Sequence, residues 1–403
     1  MSAPAEPVLA AQRRGAGVTL ALPGRAAPLE LAEPVPWVRP AGPARSRVAY
    51  AAAHVVPRVD ADNTPGAPAD VDWDATLAVR RDLFSWGLGV ADAMDTAQRG
   101  MGLDWTATQE LITRSSAEAA AAGARIACGA GTDQLDLASL PAGERGLALV
   151  IDAYREQVDV VRSAGATVIL MASRALARVA RGPQDYARVY ATLLGEADQP
   201  VILHWLGTMF DPALSGYWGS GDLGEAAARV LDVIGAASDR VDGIKVSVLD
   251  ADREVALRRA LPSGVRLYTG DDYHYPDLVV GDDEGHSDAL LGVFAAIAPA
   301  AAAALSALDA GDREAARGLL ASTQELGRHV FAAPTPYYKT GIAFLAWLNG
   351  AQPGFQMVGG LHAGRSLSHL VQLLVLADRA GLLRDPDLAA RRMRSLLHAW
   401  GAV

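Results

Sequence analysis

Eight short apolar segments without polar alternation recur from residue 47 onward, and each is suited to a strand buried on both faces. Helical patterns such as residues 73–86 and 144–165 separate them, and several of these end at glycine or a polar turn. Strands that alternate with helices predict a parallel sheet, and eight strands close a (β/α)8 TIM barrel. An open doubly wound sheet is the alternative, but no glycine-rich phosphate turn follows the first segment. The eight segments are residues 48–57, 88–95, 124–131, 166–173, 199–207, 241–248, 264–272 and, less regular than the others, 288–298.

The regions on either side of these segments have a different character. Residues 1–46 are rich in Pro, Gly and Ala, and two short apolar runs at 17–22 and 29–38 predict a small β-element within an N-terminal extension. The barrel is predicted to occupy residues 47–310. Residues 311–403 are mostly helical in pattern and predict a C-terminal helical region packed on the barrel.

Composition narrows the functional classes. The net charge is −10 and no basic block is present, which argues against a nucleic-acid partner. The single Cys128 lies in an apolar run and is expected to be a buried, inert thiol. No secretion signal opens the chain, and the Ala-rich run at 299–309 is too short to cross a membrane. These features predict a cytoplasmic globular protein.

Lysine is rare in this chain. Of 36 basic residues only Lys245 and Lys339 are lysines, and all others are arginines. A chain so biased toward arginine is expected to retain lysine where an always-charged guanidinium cannot serve. That requirement indicates an amine that must lose its proton.

Lys245 lies in the segment "GIKVS". The period of two places Gly243, Lys245 and Ser247 on one face of the strand, so small residues flank the amine. A lysine inside an apolar barrel can form a Schiff base with a carbonyl once burial lowers its pKa toward about 7–8. The alternative is a lysine paired with an acid or extended to the barrel rim.

The order "ATVILMAS", "PVILHW", "GIK" and "TGDD" over strands four to seven resembles the dihydrodipicolinate synthase/N-acetylneuraminate lyase superfamily of class I aldolases and dehydratases. The resemblance extends from about residue 47 to about residue 320. It implies a (β/α)8 barrel, a homo-oligomer (dimer or tetramer), and Lys245 as the Schiff-base lysine. It also implies that no cofactor is needed. Lys339 falls near a Pro-x-x-x-Lys segment of the family, which implies a packing or interface role.

Several positions depart from the family pattern. The fifth strand of the family carries a proton-shuttling tyrosine, whereas this chain has His204, a candidate acid–base group or else a hydrogen-bonded histidine at a strand end. The carboxylate-binding motif of the second strand aligns with Asp95, Thr96 and Ala97, so only one of its two threonines remains. Asp95 would repel a carboxylate but could accept hydrogen bonds from hydroxyl groups.

Other polar and aromatic residues follow the fifth and seventh strands and favour a polyhydroxylated ligand, as in carbohydrate metabolism. The predicted substrate-binding residues are Asp95, Thr96, Trp205, Trp218, Asp271, Asp272 and His274.

The predicted function is a Schiff-base-forming lyase that acts on a small oxo-sugar or oxo-acid through Lys245, with His204 as proton carrier. An aldolase is preferred over a dehydratase, and the lysine does not distinguish the two. Two alternatives stay open. One is a metal-dependent sugar lyase or isomerase, and the other is a non-catalytic ligand-binding descendant of the fold. In the first alternative, a divalent metal would be held by His54, His204, His274 and His286, although these have no tight ligand spacing.

Overall fold

The computed structural model of the protein describes residues 14–402. An antiparallel hairpin of β1 and β2 precedes eight parallel strands, β3 to β10, which close into a barrel in the order β3 to β10 with β10 paired to β3. This confirms the predicted (β/α)8 barrel, and the hairpin matches the β-element expected in the N-terminal extension. The ten strands are β1 Gly15–Leu20, β2 Leu29–Ala32, β3 Ala49–Ala52, β4 Gly89–Asp92, β5 Ile126–Ala130, β6 Thr167–Leu170, β7 Val201–Leu206, β8 Val241–Ser247, β9 Arg266–Thr269 and β10 Asp288–Leu291.

Helices surround the barrel and extend beyond it. Asp72, Asp104, Asp222 and Asp250 each cap a barrel helix, because the carboxylate accepts a backbone N–H of the first turn. The α-helices are α1 Trp73–Ser85, α2 Trp105–Ala122, α3 Glu144–Ser163, α4 Arg174–Val179, α5 Pro183–Glu196, α6 Leu223–Ala236, α7 Ala251–Ala260, α8 Tyr275–Val280, α9 Val293–Asp309, α10 Arg313–Val330, α11 Tyr338–Leu348, α12 Leu367–Arg379 and α13 Pro386–Ala399.

The eighth predicted strand, residues 288–298, is shorter than expected. It ends at Leu291, and α9 begins at Val293. Helix α9 is buried along most of its surface, so its apolar run lacks a polar side. A helix covered on all sides and a strand buried on both faces give the same unbroken apolar pattern, and the sequence could not separate them.

The interior of the barrel is filled by alanine, methionine, isoleucine and leucine side chains, with Tyr50 and Tyr268 as its two aromatic rings. On β8 the outward side chains Ile244 and Val246 join the apolar layer between the strands and the helices. The alternate residues, including Lys245, therefore face the interior.

The C-terminal helices cover one side of the barrel. Helix α10 packs on α8, α9 and α12, and the first turn of α11 reaches the C-terminal ends of the strands, where Tyr338 contacts Thr96. In residues 14–402 no helix combines the length and the apolarity that a membrane crossing requires.

Candidate active site

Lys245 lies near the C-terminal end of β8, where catalytic side chains of such barrels project. The residue is only 8% exposed. Gly270, which follows β9, borders the lysine so closely that a Cβ atom there would lie 2.8 Å from Lys245 Cε. The glycine is therefore needed to leave space for the lysine side chain, as small flanking residues on β8 also do.

The charge state of Lys245 is set by opposing effects. Burial lowers the pKa of its amine, and the carboxylates of Asp95 and Asp272 partly offset this shift. Within the described residues, Lys245 Nζ forms no hydrogen bond and no ion pair. The structure therefore holds a buried, partly desolvated amine that is not tied to an acid.

Asp272 is placed by the turn that follows β9. Its Oδ1 accepts the N–H of Val293 at 2.8 Å, which joins the turn to the start of α9. Burial raises the pKa of Asp272 to about 7, while this backbone bond and the charge of Lys245 act in the opposite direction. A carboxyl group with a pKa of about 7 can both take up and release a proton near neutral pH.

Asp95 and Thr96 follow β4, on the opposite side of the lysine. Thr96 Oγ1 lies 2.8 Å from the hydroxyl of Tyr338, whose ring stacks on Phe331. Burial raises the pKa of Tyr338, and the charges of Asp95 and Asp272 act on it as they do on Lys245. The phenol therefore shares the electrostatic environment of the lysine, and sequence analysis had not identified it.

His204 is the cross-strand partner of Lys245 on β7. In the part of the chain that the structure describes, neither of its ring nitrogens has a hydrogen-bond partner. Burial and the positive charge of Lys245 lower the pKa of His204, so the imidazole is neutral. A buried neutral histidine without partners can donate or accept one hydrogen bond from a ligand.

A cavity of about 210 Å³ opens at the C-terminal ends of the strands. Asp95 and His204 both line it, and so do Arg174 and Asp211, whose side chains form an ion pair. Its polar lining fits a small ligand with several hydrogen-bonding groups.

Lys339, for which the resemblance implies a packing or interface role, is 3% exposed. It lies at the start of α11, near the same carboxylate, Asp95, as Lys245. Burial lowers its pKa to about 8, and the nearby Arg174 acts in the same direction. The rarity of lysine, which drew attention to Lys245, was also the signal for Lys339.

The two predicted tryptophan contacts are not at this site. Neighbouring residues of a strand point to opposite faces, so Trp205 turns outward while His204 turns inward, and Trp205 packs in the apolar layer between the barrel and its helices. Trp218 is fully buried and packs against Tyr186, Tyr190 and Tyr217. These positions correct the expectation that the two tryptophans bind substrate.

Asp271 and His274 form a separate pair in the turn after β9. Asp271 Oδ2 lies 2.8 Å from His274 Nδ1, and Oδ1 accepts the backbone N–H groups of Tyr273 and His274. The described hydrogen bonds of the Asp271 carboxylate are therefore all within its own turn. The pair orders the segment that presents Asp272.

The four histidines of the alternative metal site do not come together. His54 is hydrogen-bonded to Gln352 at 2.9 Å, and His286 precedes β10 at the opposite end of the barrel, among arginines. Burial lowers the pKa of each of these two histidines to about 4. Across residues 14–402, no group of three His, Cys, Asp or Glu side chains is arranged to hold a metal ion. The predicted set of ligands is therefore wrong.

Comparison with solved structures agrees with this architecture. A prophage protein of the dihydrodipicolinic acid synthase family from E. coli, solved in complex with pyruvate, superimposes with a TM-score of 0.62 at 14% identity, covering 83% of this chain and 99% of that one. Dihydrodipicolinate synthase from Aquifex aeolicus gives a TM-score of 0.61 at 13% identity, with the same coverage. A putative dihydrodipicolinate synthetase from Pseudomonas aeruginosa gives 0.60 at 16% identity, again with 83% and 99% coverage. The resemblance predicted from the sequence is confirmed at the level of the fold.

Comparison by sequence identifies the family of the chain. No curated protein matches the chain. The family model described as protein of unknown function (DUF993) matches residues 20–402. The chain therefore belongs to the DUF993 family, and its barrel is similar in fold to those of dihydrodipicolinate synthases.

Proposed function

We propose that the protein is a Schiff-base-forming lyase that acts on a small oxo-sugar or oxo-acid. One observation carries the proposal: the amine of Lys245 is buried inside the barrel, near its C-terminal end, without an ion pair or hydrogen bond among the described residues. Desolvation favours the neutral amine, which is the form that attacks a carbonyl carbon. The similar barrels of the dihydrodipicolinate synthase family support a lyase of the class I aldolase type.

In the proposed reaction, the neutral amine adds to the substrate carbonyl, and the resulting carbinolamine loses water to form an iminium ion. The iminium nitrogen then accepts the electron pair of the breaking C–C bond, while a base removes the proton of the substrate hydroxyl group. In the alternative dehydration, a base removes the proton on the carbon next to the iminium carbon, and the resulting enamine expels the neighbouring hydroxyl group, which leaves as water after taking up a proton. Reprotonation and hydrolysis return the amine.

We assign the proton transfers mainly to Asp272, because its pKa of about 7 suits both directions of transfer near neutral pH. The hydroxyl groups of Thr96 and Tyr338 are 2.8 Å apart and can relay a proton within the same candidate site. His204, first proposed as the proton carrier, is a weaker base because its pKa is lowered. We therefore give it the role of a hydrogen-bonding group for the substrate.

Trapping with cyanoborohydride tests the proposal. The protein is incubated with a panel of 2-oxo acids and ketoses, reduced, and analysed by intact mass and peptide mapping. We expect one adduct per chain, on Lys245, and none in the Lys245→Met variant. A substrate that is turned over without any adduct would falsify the Schiff-base mechanism. A compound that binds without turnover or adduct would support a non-catalytic binding protein.

We also expect a homo-oligomer, a dimer or a tetramer, as the resemblance implies. Light scattering of the purified protein tests this expectation.

A further inference from the structure

Two cationic side chains approach the neighbouring residues Gly100 and Met101, and of these four residues Gly100 and Arg174 line the cavity. Lys339 Nζ lies 3.2 Å from Met101 Sδ, and Arg174 Nη1 would lie 2.9 Å from a Cβ atom on Gly100. Lys339 arrives from α11 and Arg174 from the start of α4, so the fold brings them together from distant parts of the chain. Like charges repel, and a buried lysine beside a guanidinium needs compensation.

The contacts of Lys339 within the described residues compensate its charge only in part. A lysine ammonium has three donors, and among the described residues Lys339 uses one, on the weakly accepting sulfur of Met101. The ring of Tyr338 lies 5.2 Å from the same nitrogen. Lys339 forms no ion pair within residues 14–402, although Asp95 and Asp211 lie close enough to influence its charge.

Arg174 is also incompletely bonded. Its Nε donates to Asp211, and in the described part of the chain its two terminal nitrogens donate to no acceptor. The side chain is 40% exposed and lines the cavity. A guanidinium with both terminal nitrogens open presents the geometry that binds carboxylate and phosphate groups.

Asp95 connects this pair of cations with Lys245. Its carboxylate acts on the charges of both lysines, yet no ion pair joins it to either one among residues 14–402. A ligand bound covalently to Lys245 would extend past Asp95 toward Lys339 and Arg174. Asp95 would accept its hydroxyl groups on the way, because a carboxylate only accepts hydrogen bonds.

We infer that Lys339 and Arg174 bind an anionic group, a carboxylate or a phosphate, at the end of the substrate remote from the carbonyl that reacts with Lys245. This inference rests on the proposed function and names the substrate class: a hydroxylated oxo compound with a terminal acid group. The net charge of −10 repels anions from the protein as a whole, so a preference for an acid-bearing ligand requires a local cationic site.

Matched pairs of carbonyl compounds test the inference. Levulinate is compared with 2-pentanone, and dihydroxyacetone phosphate with dihydroxyacetone, in cyanoborohydride trapping followed by peptide mapping. We expect the acid-bearing member of at least one pair to label Lys245 at a concentration about tenfold lower. The pair with the larger ratio identifies the acid group as a carboxylate or a phosphate.

Variants assign the preference to residues. Lys339→Met and Arg174→Met should each remove most of the preference while labelling by 2-pentanone and dihydroxyacetone stays within about twofold. The control is Arg178→Met, an exposed arginine on the same helix α4, which should keep the preference. Equal labelling by both members of each pair in the wild-type protein, which needs no variant, would overturn the inference, and so would an adduct on Lys339.

A second measurement separates this inference from the proposed function. The Lys245→Met variant cannot form a Schiff base, so its stabilisation by dihydroxyacetone phosphate reports binding alone. We expect dihydroxyacetone phosphate to raise the midpoint of thermal unfolding of the Lys245→Met variant. The additional Lys339→Met change should abolish this rise. If Lys245 is never labelled but the rise is present and depends on Lys339, the Schiff-base function fails and the anion site stands. If the rise is absent or independent of Lys339, the anion site fails.

Discussion

The two ends of the barrel carry many charges but use them differently. At the N-terminal ends of the strands, Arg266 bonds to Asp242 at 2.6 Å, and Asp282 accepts from Arg258 at 2.7 Å. At the C-terminal ends, Lys245 and Lys339 each lie within the electrostatic influence of Asp95, and no ion pair joins either lysine to it within residues 14–402.

We interpret this difference as one between charges that stabilise the fold and charges that the proposed reaction would use. Charges paired with each other at an exposed surface contribute little stability and need no ligand. Buried charges without partners cost stability, and a fold retains them where a ligand or a reaction uses them. Substitutions of Lys245, Asp272, Glu254 and Asp282 test this contrast.

Replacement of Lys245 by Met should abolish adduct formation and lower turnover by about a thousandfold or more, because no other group supplies the nucleophile. The thermal midpoint should not fall, since a methionine of similar length removes a buried amine that burial penalises. Cyanoborohydride labelling and thermal unfolding measure the two effects. If the Lys245→Met variant is still labelled to the same extent, at another residue, then the reactive amine is not Lys245.

Replacement of Asp272 by Asn should lower turnover by about a hundredfold, through loss of acid–base catalysis. It should also shift the pH profile of Lys245 labelling to lower pH, because the negative charge that raises the pKa of the lysine is removed. The same profile measured for Asp282→Asn, at the other end of the barrel, is the control. A profile of Asp272→Asn that shifts to higher pH would contradict the electrostatic assignment.

Glu254 tests the case of a buried acid that does have partners. It accepts hydrogen bonds from Ser287 at 2.7 Å and from Thr269 at 3.0 Å, and burial raises its pKa from 4.5 to about 8. Its folded pKa exceeds the unfolded one, so its contribution to stability is complete below pH 4.5 and is lost as the pH rises through about 8.

The variant Glu254→Gln should therefore show a flatter pH dependence of the free energy of unfolding between pH 4.5 and 8 than the wild-type protein. Urea unfolding at several pH values measures it. Labelling of Lys245 should stay unchanged, because this acid belongs to the structural group. An unaltered pH dependence would show that Glu254 is ionised in the folded protein.

Replacement of Asp282 by Asn should have the smallest effect. The side chains of Asp282 and its partner Arg259 are 39% and 44% exposed, so solvent screens this interaction, and only the second partner, Arg258, is buried. Labelling of Lys245 and the wild-type preference for acid-bearing probes should both be retained. A large loss of either would mean that charges at the N-terminal ends of the strands affect the site at the C-terminal ends.

Features that depend on residues close together in the sequence could be predicted, and features that depend on residues far apart in the sequence could not. The inward direction of Lys245 followed from the alternation of one strand, and the same alternation, applied to His204, would have turned Trp205 outward. His286 follows the seventh strand and was therefore grouped with the other histidines of the alternative metal site. An intervening helix carries it to the other end of the barrel. Counting that short helix, Tyr275–Val280, would have corrected this prediction.

The sequence by itself determined the eight-stranded barrel and the buried lysine, because both depend on local periodicity and on a strong bias in composition. Only the tertiary structure decided that Tyr338 and Lys339 meet Asp95 and Thr96. These contacts join residues more than two hundred positions apart, and they depend on how α11 packs against the barrel. No local pattern encodes such a docking, since it results from the combined shape of many buried side chains.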